Sequence, residues 1–182
     1  MWNDKKTYAR LLHKRHFSSE NGFDIVSIFK LRTPGGRRGR LERGVSLIDT
    51  ECARDKNGGI CGYVKANANT YGGFGEDCVF WIIDAKQLPQ NCNIEENDKN
   101  CHAELIINPE HNQDAAIFRR NNEELLCVVG DIYSERDVYI CIDGKAKPFS
   151  ARDFSRIINA TDKRKKTRKE ENKISKFQDI IK

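Results

Sequence analysis

Residues 77–84 read Asp77-Cys78-Val79-Phe80-Trp81-Ile82-Ile83-Asp84. Acids bracket a run rich in β-branched and aromatic side chains, the composition of a buried strand. Its apolar centre, Val79 to Ile83, is the most apolar window of the chain. Downstream, Gln87-Leu88-Pro89 ends the element and residues 90–100 read as a polar loop. Short apolar runs then predict strands at His102 to Ile107, Ala115 to Arg119, Leu125 to Val129 and Asp137 to Ile142. The last of these turns at Asp143-Gly144, and Ser150 to Asn159 reads as a helix capped by Ser150, with Phe154, Ile157 and Ile158 on one face.

Upstream, residues 4–17 read as an amphipathic helix with Tyr8, Leu11, Leu12 and Phe17 on one face. A turn at Ser18 to Gly22 leads to a strand from Phe23 to Leu31, stopped by Thr33-Pro34-Gly35-Gly36. A short strand follows at Val45 to Ile48, and residues 49–75, rich in Gly and Asn, admit a helix around Cys61 to Asn69. Strands gather in the second half with helices at the ends. The expected fold class is therefore α+β, with a mixed or antiparallel sheet of about seven strands and peripheral N- and C-terminal helices. Residues 1–160 read as a single domain and 161–182 as a basic arm or helix.

The chain has 182 residues, 38% hydrophobic and 32% charged. No run approaches the roughly 20 apolar residues that cross a bilayer as a helix. No apolar stretch follows the charges of Met1-Trp2-Asn3-Asp4-Lys5-Lys6, so no signal peptide is expected. The expectation is a cytoplasmic protein, or one delivered into a target cell. The formal net charge is +5. Residues 151–182 carry 11 Lys/Arg against 5 Asp/Glu, a net of +6, which leaves −1 for residues 1–150. Two basic patches, residues 30–43 and 163–169, favour phosphate-bearing partners. The seven cysteines form no C-x-x-C, which argues against structural zinc. Several sit in apolar runs, so free buried thiols are the expectation; Cys92 and Cys101, flanking a polar loop, are a candidate pair for an extracellular protein.

Three constellations carry chemistry. Cys101-His102-Ala103-Glu104 matches the first half of a zinc deaminase signature, but Cys127 and Cys141 stand too far apart to complete it. On a strand, His102 and Glu104 share one face. Gly130-Asp131 with Asp143-Gly144-Lys145 suggests a metal-dependent nuclease, two acids holding the ion and a lysine orienting water. Asp143-Gly144 is equally a hairpin turn.

The third constellation is an order of elements. Arg32 ends a predicted strand, Ser46 lies in Gly44-Val45-Ser46-Leu47-Ile48, and Asn112-Gln113-Asp114 enters a later one. This order, over residues 24–130, resembles the cholera-toxin-like branch of the mono-ADP-ribosyltransferases. In that family an Arg ends the first strand, a Ser-Thr-Ser strand supports the nicotinamide pocket, and a Glu-x-Glu turn supplies the catalytic Glu. The resemblance implies that Arg32 holds the NAD diphosphate, Ser46 shapes the pocket, and Asp114 or Glu110 is the catalytic carboxylate, with Glu104 a further nearby acid. A guanidinium suits a diphosphate, and a carboxylate stabilises the positive charge that builds on the ribose as nicotinamide leaves. The leading expectation is a toxin- or effector-like transferase that uses NAD as substrate, needs no metal, and modifies a protein or nucleic-acid acceptor. The alternatives are the nuclease (Asp131, Asp143, Lys145) and a non-catalytic nucleic-acid-binding module.

Overall fold

A computed structural model describes residues 6–13, 16–18, 22–31, 44–68, 77–97, 100–108 and 115–153. The chain divides into two units, Met1–Phe149 and Ser150–Lys182. In the second, the described residues make one 3-10 turn, Ala151–Asp153, where the Ser150 N–H and hydroxyl both donate to the Asp153 carboxylate.

The first unit is α+β. Its elements are β1 (Thr7–Leu12), β2 (Phe17–Ser18), β3 (Gly22–Phe23), α1 (Ile25–Phe29), β4 (Val45–Asp49), α2 (Thr50–Asn57), α3 (Ile60–Ala66), β5 (Val79–Asp84), β6 (Cys92–Asn97), β7 (His102–Ile107), α4 (Ala115–Ile132), β8 (Val138–Ile142) and β9 (Lys145–Pro148). Seven strands form one antiparallel sheet in the order β6-β7-β4-β1-β5-β8-β9, and β2 and β3 form a separate hairpin. No helix among the described residues is long and apolar enough to cross a membrane.

The stretch 77–84 contains strand β5, between β1 and β8 in the sheet. Trp81 is fully buried, and its neighbour Val79 is buried between Leu12 of β1 and Ile140 of β8. Register sorts the side chains onto two faces. Tyr8, Arg10 and Leu12 fall with Leu47, Asp49, Ile83, Trp81 and Leu105 on one face; Ala9 and Leu11 fall with Ser46, Ile48, Phe80, His102 and Glu104 on the other. Helices α1 and α4 cover the Trp81 face: Phe29 meets Trp81 edge-on at 5.4 Å, and Tyr133, just past α4, does so at 5.2 Å. Helices α2 and α3 pack on the other through Ala53, Ile60, Tyr63 and Val64.

Five expected elements are corrected. Residues 4–17 contain strand β1, not a helix. Tyr8, Leu11 and Leu12 mimic helical spacing because β1 is central and buried on both faces, which removes the alternation of a surface strand. Residues 23–31 contain helix α1, because the Asp24 carboxylate caps it by accepting from the Ser27 N–H at 3.2 Å, with Ile28 and Phe29 turned inward. The strands expected at Ala115 to Arg119 and Leu125 to Val129 are one helix, α4. Its buried positions Phe118, Asn121, Leu125 and Val129 recur at helical spacing across a polar stretch. The loop at 90–100 contains the edge strand β6, whose inward Cys92 and Ile94 alternate with outward Asn93 and Glu95.

The cysteines are also corrected. Cys52 is bonded to Cys101 and Cys61 to Cys141, while Cys78, Cys92 and Cys127 are free. The candidate pair Cys92 and Cys101 does not form. Both bonds join the α2–α3 layer to the sheet, a closure that spacing alone does not reveal.

Candidate functional site

The sheet places β1, β4 and β7 side by side, with Ser46 and Glu104 projecting from one face and Arg10 from the other. Strands β1 and β4 pair at Tyr8↔Asp49 and Ala9↔Ile48 only, whereas β4 pairs with β7 from Val45 to Ile48. The two strands therefore part after Ala9, and Arg10 fills the opening. Its Nη1 donates to the Ser46 carbonyl at 2.8 Å and its Nη2 to the Ile28 carbonyl at 2.9 Å. The guanidinium also lies 5.5 Å from the centre of the Phe29 ring. Two carbonyls and an aromatic face fix the direction of this planar cation.

Ser46 is exposed and stands directly opposite Glu104 on β7. Glu104 is half-buried, and on its other side it faces Glu95 of β6. His102 lies two residues before Glu104 on the same face, opposite Ile48. Gly44 lets this arrangement close: a Cβ there would come within 2.6 Å of the Leu105 carbonyl oxygen. One face of the sheet thus sets an exposed hydroxyl beside two carboxylates, Glu104 and Glu95, while the Arg10 guanidinium holds the Ser46 carbonyl from the other face.

A second polar cluster lies at the other end of β1. Lys6 bridges Asp49 at 2.8 Å and Glu96 at 2.7 Å, and the Tyr8 hydroxyl donates to Glu96. Asp49 also caps α2, accepting from the Glu51 and Cys52 N–H groups. Burial opposes the charge on Lys6, but its bonds to Asp49 and Glu96 outweigh this and raise its pKa. Burial, then the Glu96 carboxylate, push the Tyr8 phenol up as well. A third cluster ties α4 to the sheet edge: Asn91 and Asn108 donate to Glu124 at 2.6 and 2.9 Å. Both clusters join backbone elements and account for their own polar groups.

Arg32, Glu110 and Asp114 lie outside the described residues. The elements that singled them out are replaced, since helix α1 precedes Arg32 and helix α4 follows Asp114. Ser46 is in a strand as expected. Asp131 sits in the last turn of α4 rather than at a strand, while Asp143 and Gly144 form the β8–β9 turn with φ of 52° and 75°. The tight turn explains that pair, with Lys145 opening β9. Cys101, which opens the stretch matched to the deaminase signature, is in a disulfide, and His102 and Glu104 share a strand face as the alternation predicts. Among the described residues no three His, Cys, Asp or Glu side chains gather as a metal site would require.

Sequence reasoning missed Arg10. Its signal was available: read as a strand, residues 7–12 put an arginine on the first strand, ahead of Ser46 and Glu104 in chain order. Compared with family models, curated proteins and solved structures, the chain matches none.

Proposed function

We propose that the protein transfers ADP-ribose from NAD to a macromolecular acceptor, with Arg10, Ser46 and Glu104 as the working residues. The observation that carries this reading is the position of Ser46. Its carbonyl receives Arg10 and its register partner is Glu104, so three neighbouring strands hold Arg, Ser and Glu in that chain order. This is the order of the family that the sequence resembles, on three adjacent strands, with Arg10 meeting the Ser46 carbonyl from the opposite face. His102-Ala103-Glu104 takes the place of Glu-x-Glu, with His102 at the first position.

Each residue has a role its chemistry fits. Arg10 is a positioning residue, its planar fork holding the Ser46 carbonyl from the packed face. Ser46 offers its hydroxyl to the nicotinamide–ribose end. The bond between nicotinamide nitrogen and ribose C1′ breaks, and its electron pair leaves with nicotinamide. Glu104 stabilises the cationic ribose that results. An acceptor nucleophile then bonds C1′ and gives up its proton. The basic patches at 30–43 and 163–169 favour an acidic or phosphate-bearing acceptor. The two disulfides favour passage through an oxidising compartment, which a protein delivered into a target cell would meet on the way.

The test is transfer of label from NAD to macromolecules in a lysate. Wild type is run beside Arg10→Lys, Glu104→Gln, Arg32→Ala and Asp114→Ala. The proposal expects label lost with the first two and kept with the last two. Label lost with Arg32→Ala and Asp114→Ala alone keeps the activity and moves the site. No label with any form, and no rise in Tm on adding NAD, overturns the reading.

A further inference from the structure

We propose that Cys78 and the disulfide Cys61–Cys141 form an internal exchange relay, in which the bond at Cys141 passes from Cys61 to Cys78. The Cys78 Sγ lies 3.3 Å from the Cys141 Sγ. Both residues are buried, at 3% and 1% exposure, and the Cys141 N–H donates to the Cys78 carbonyl at 2.8 Å. Backbone pairing between neighbouring strands therefore holds the third sulfur against the bonded pair. The other free thiols are placed differently. Cys92 belongs to the opposite face of the sheet, and Cys127 is exposed on α4.

The step balances without an oxidant. Cys78 loses its proton, and its thiolate attacks the Cys141 sulfur. The Cys78–Cys141 bond forms as Cys61–Cys141 breaks, and Cys61 leaves as a thiolate that takes up a proton. The mechanical result differs between the two states. Cys61–Cys141 ties α3 to β8, whereas Cys78–Cys141 would tie residues beside two strands already paired. Exchange therefore removes the covalent tie of α3 to the sheet, leaving it held by packing, and keeps α2 anchored through Cys52–Cys101. Burial sets the rate: it pushes the Cys78 thiol up to about 12, so thiolate is scarce at neutral pH and exchange quickens with alkali.

Disulfide mapping of the full oxidised chain tests this. The protein is held without reductant at about pH 7 and about pH 9, quenched with acid, blocked with N-ethylmaleimide and digested. The relay predicts a Cys78–Cys141 linked peptide that grows at the expense of Cys61–Cys141, roughly 100-fold faster at the higher pH, with Cys52–Cys101 unchanged. Absence of that peptide, or its growth only alongside links to Cys92 and Cys127, overturns the proposal. Cys61→Ser gives a second arm: dissolved oxygen is expected to join Cys78 to Cys141, and two thiols that stay free would overturn the relay.

Discussion

On the face that carries Trp81, Leu47 and Leu105, the sheet is closed by α1 and α4 through large apolar side chains. On the face that carries Ser46, His102 and Glu104, α2 and α3 cover only part, and covalent bonds from Cys52 and Cys61 anchor them. On the first face Phe29, Trp81, Leu105 and Leu125 are fully enclosed, and neither α1 nor α4 carries a disulfide. On the second face α2 and α3 carry covalent ties as well as packing, and Ser46 is left exposed. Stability and proposed chemistry are thus divided between the two sides of one sheet, with Arg10 reaching the Ser46 backbone from the packed side.

If that division holds, substitutions on the two faces will separate. Trp81→Ala should cost about 3 to 5 kcal/mol in urea unfolding, because its ring is fully enclosed against Phe29 and Tyr133. A cost below about 1 kcal/mol would mean the face is not a packed core. Replacing Cys52 and Cys101 together by Ala should cost about 2 to 4 kcal/mol, because the bond closes a 49-residue separation. That loss should vanish when both proteins are compared in reductant, which distinguishes a lost tether from lost packing.

A smaller effect is expected at the Lys6 cluster. The folded pKa values of Lys6 and Tyr8 both lie above their unfolded ones. Their contribution is then fully present below the unfolded values, about 10, and is lost as pH rises through the folded ones. Tm should fall on titration into the alkaline range, and Glu96→Gln should shrink that fall. An identical alkaline decline in the variant would detach the cluster from stability. The smallest effect belongs to the open patch: Ser46→Ala and Glu104→Gln should each change stability by less than about 0.5 kcal/mol. A large loss at Glu104 would make it a structural residue and erase the contrast between the faces.

The sequence displayed some of this plainly. The run 79–83, the strand at 45–48, the strand at 102–107 and the Asp143-Gly144 turn each show a local pattern strong enough to survive folding. The α+β class follows from them. The errors share one physical source. A central strand buried on both faces, such as β1, loses its alternation, and a short capped helix such as α1 looks like any apolar run. In α4 the inward positions Asn121 and Asn122 are polar, since Asn121 lies in the buried amide–carboxylate cluster and Asn122 accepts from the Leu31 N–H at 2.8 Å. They therefore broke the apparent period. Ser46 was legible from its strand, and Glu104 from the Cys101-His102-Ala103-Glu104 stretch. Arg10 was not, because its role depends on two strands parting, a tertiary fact that no local pattern encodes.

The most direct test of the proposed site is NAD titration followed by amide chemical shifts in the labelled full chain. The account predicts saturable shifts concentrated at Arg10, Ser46 and Glu104 and their neighbours on β1, β4 and β7, weakened in Arg10→Lys. Shifts confined to the Lys6 cluster or to α4, or no shift at saturating NAD, would contradict it.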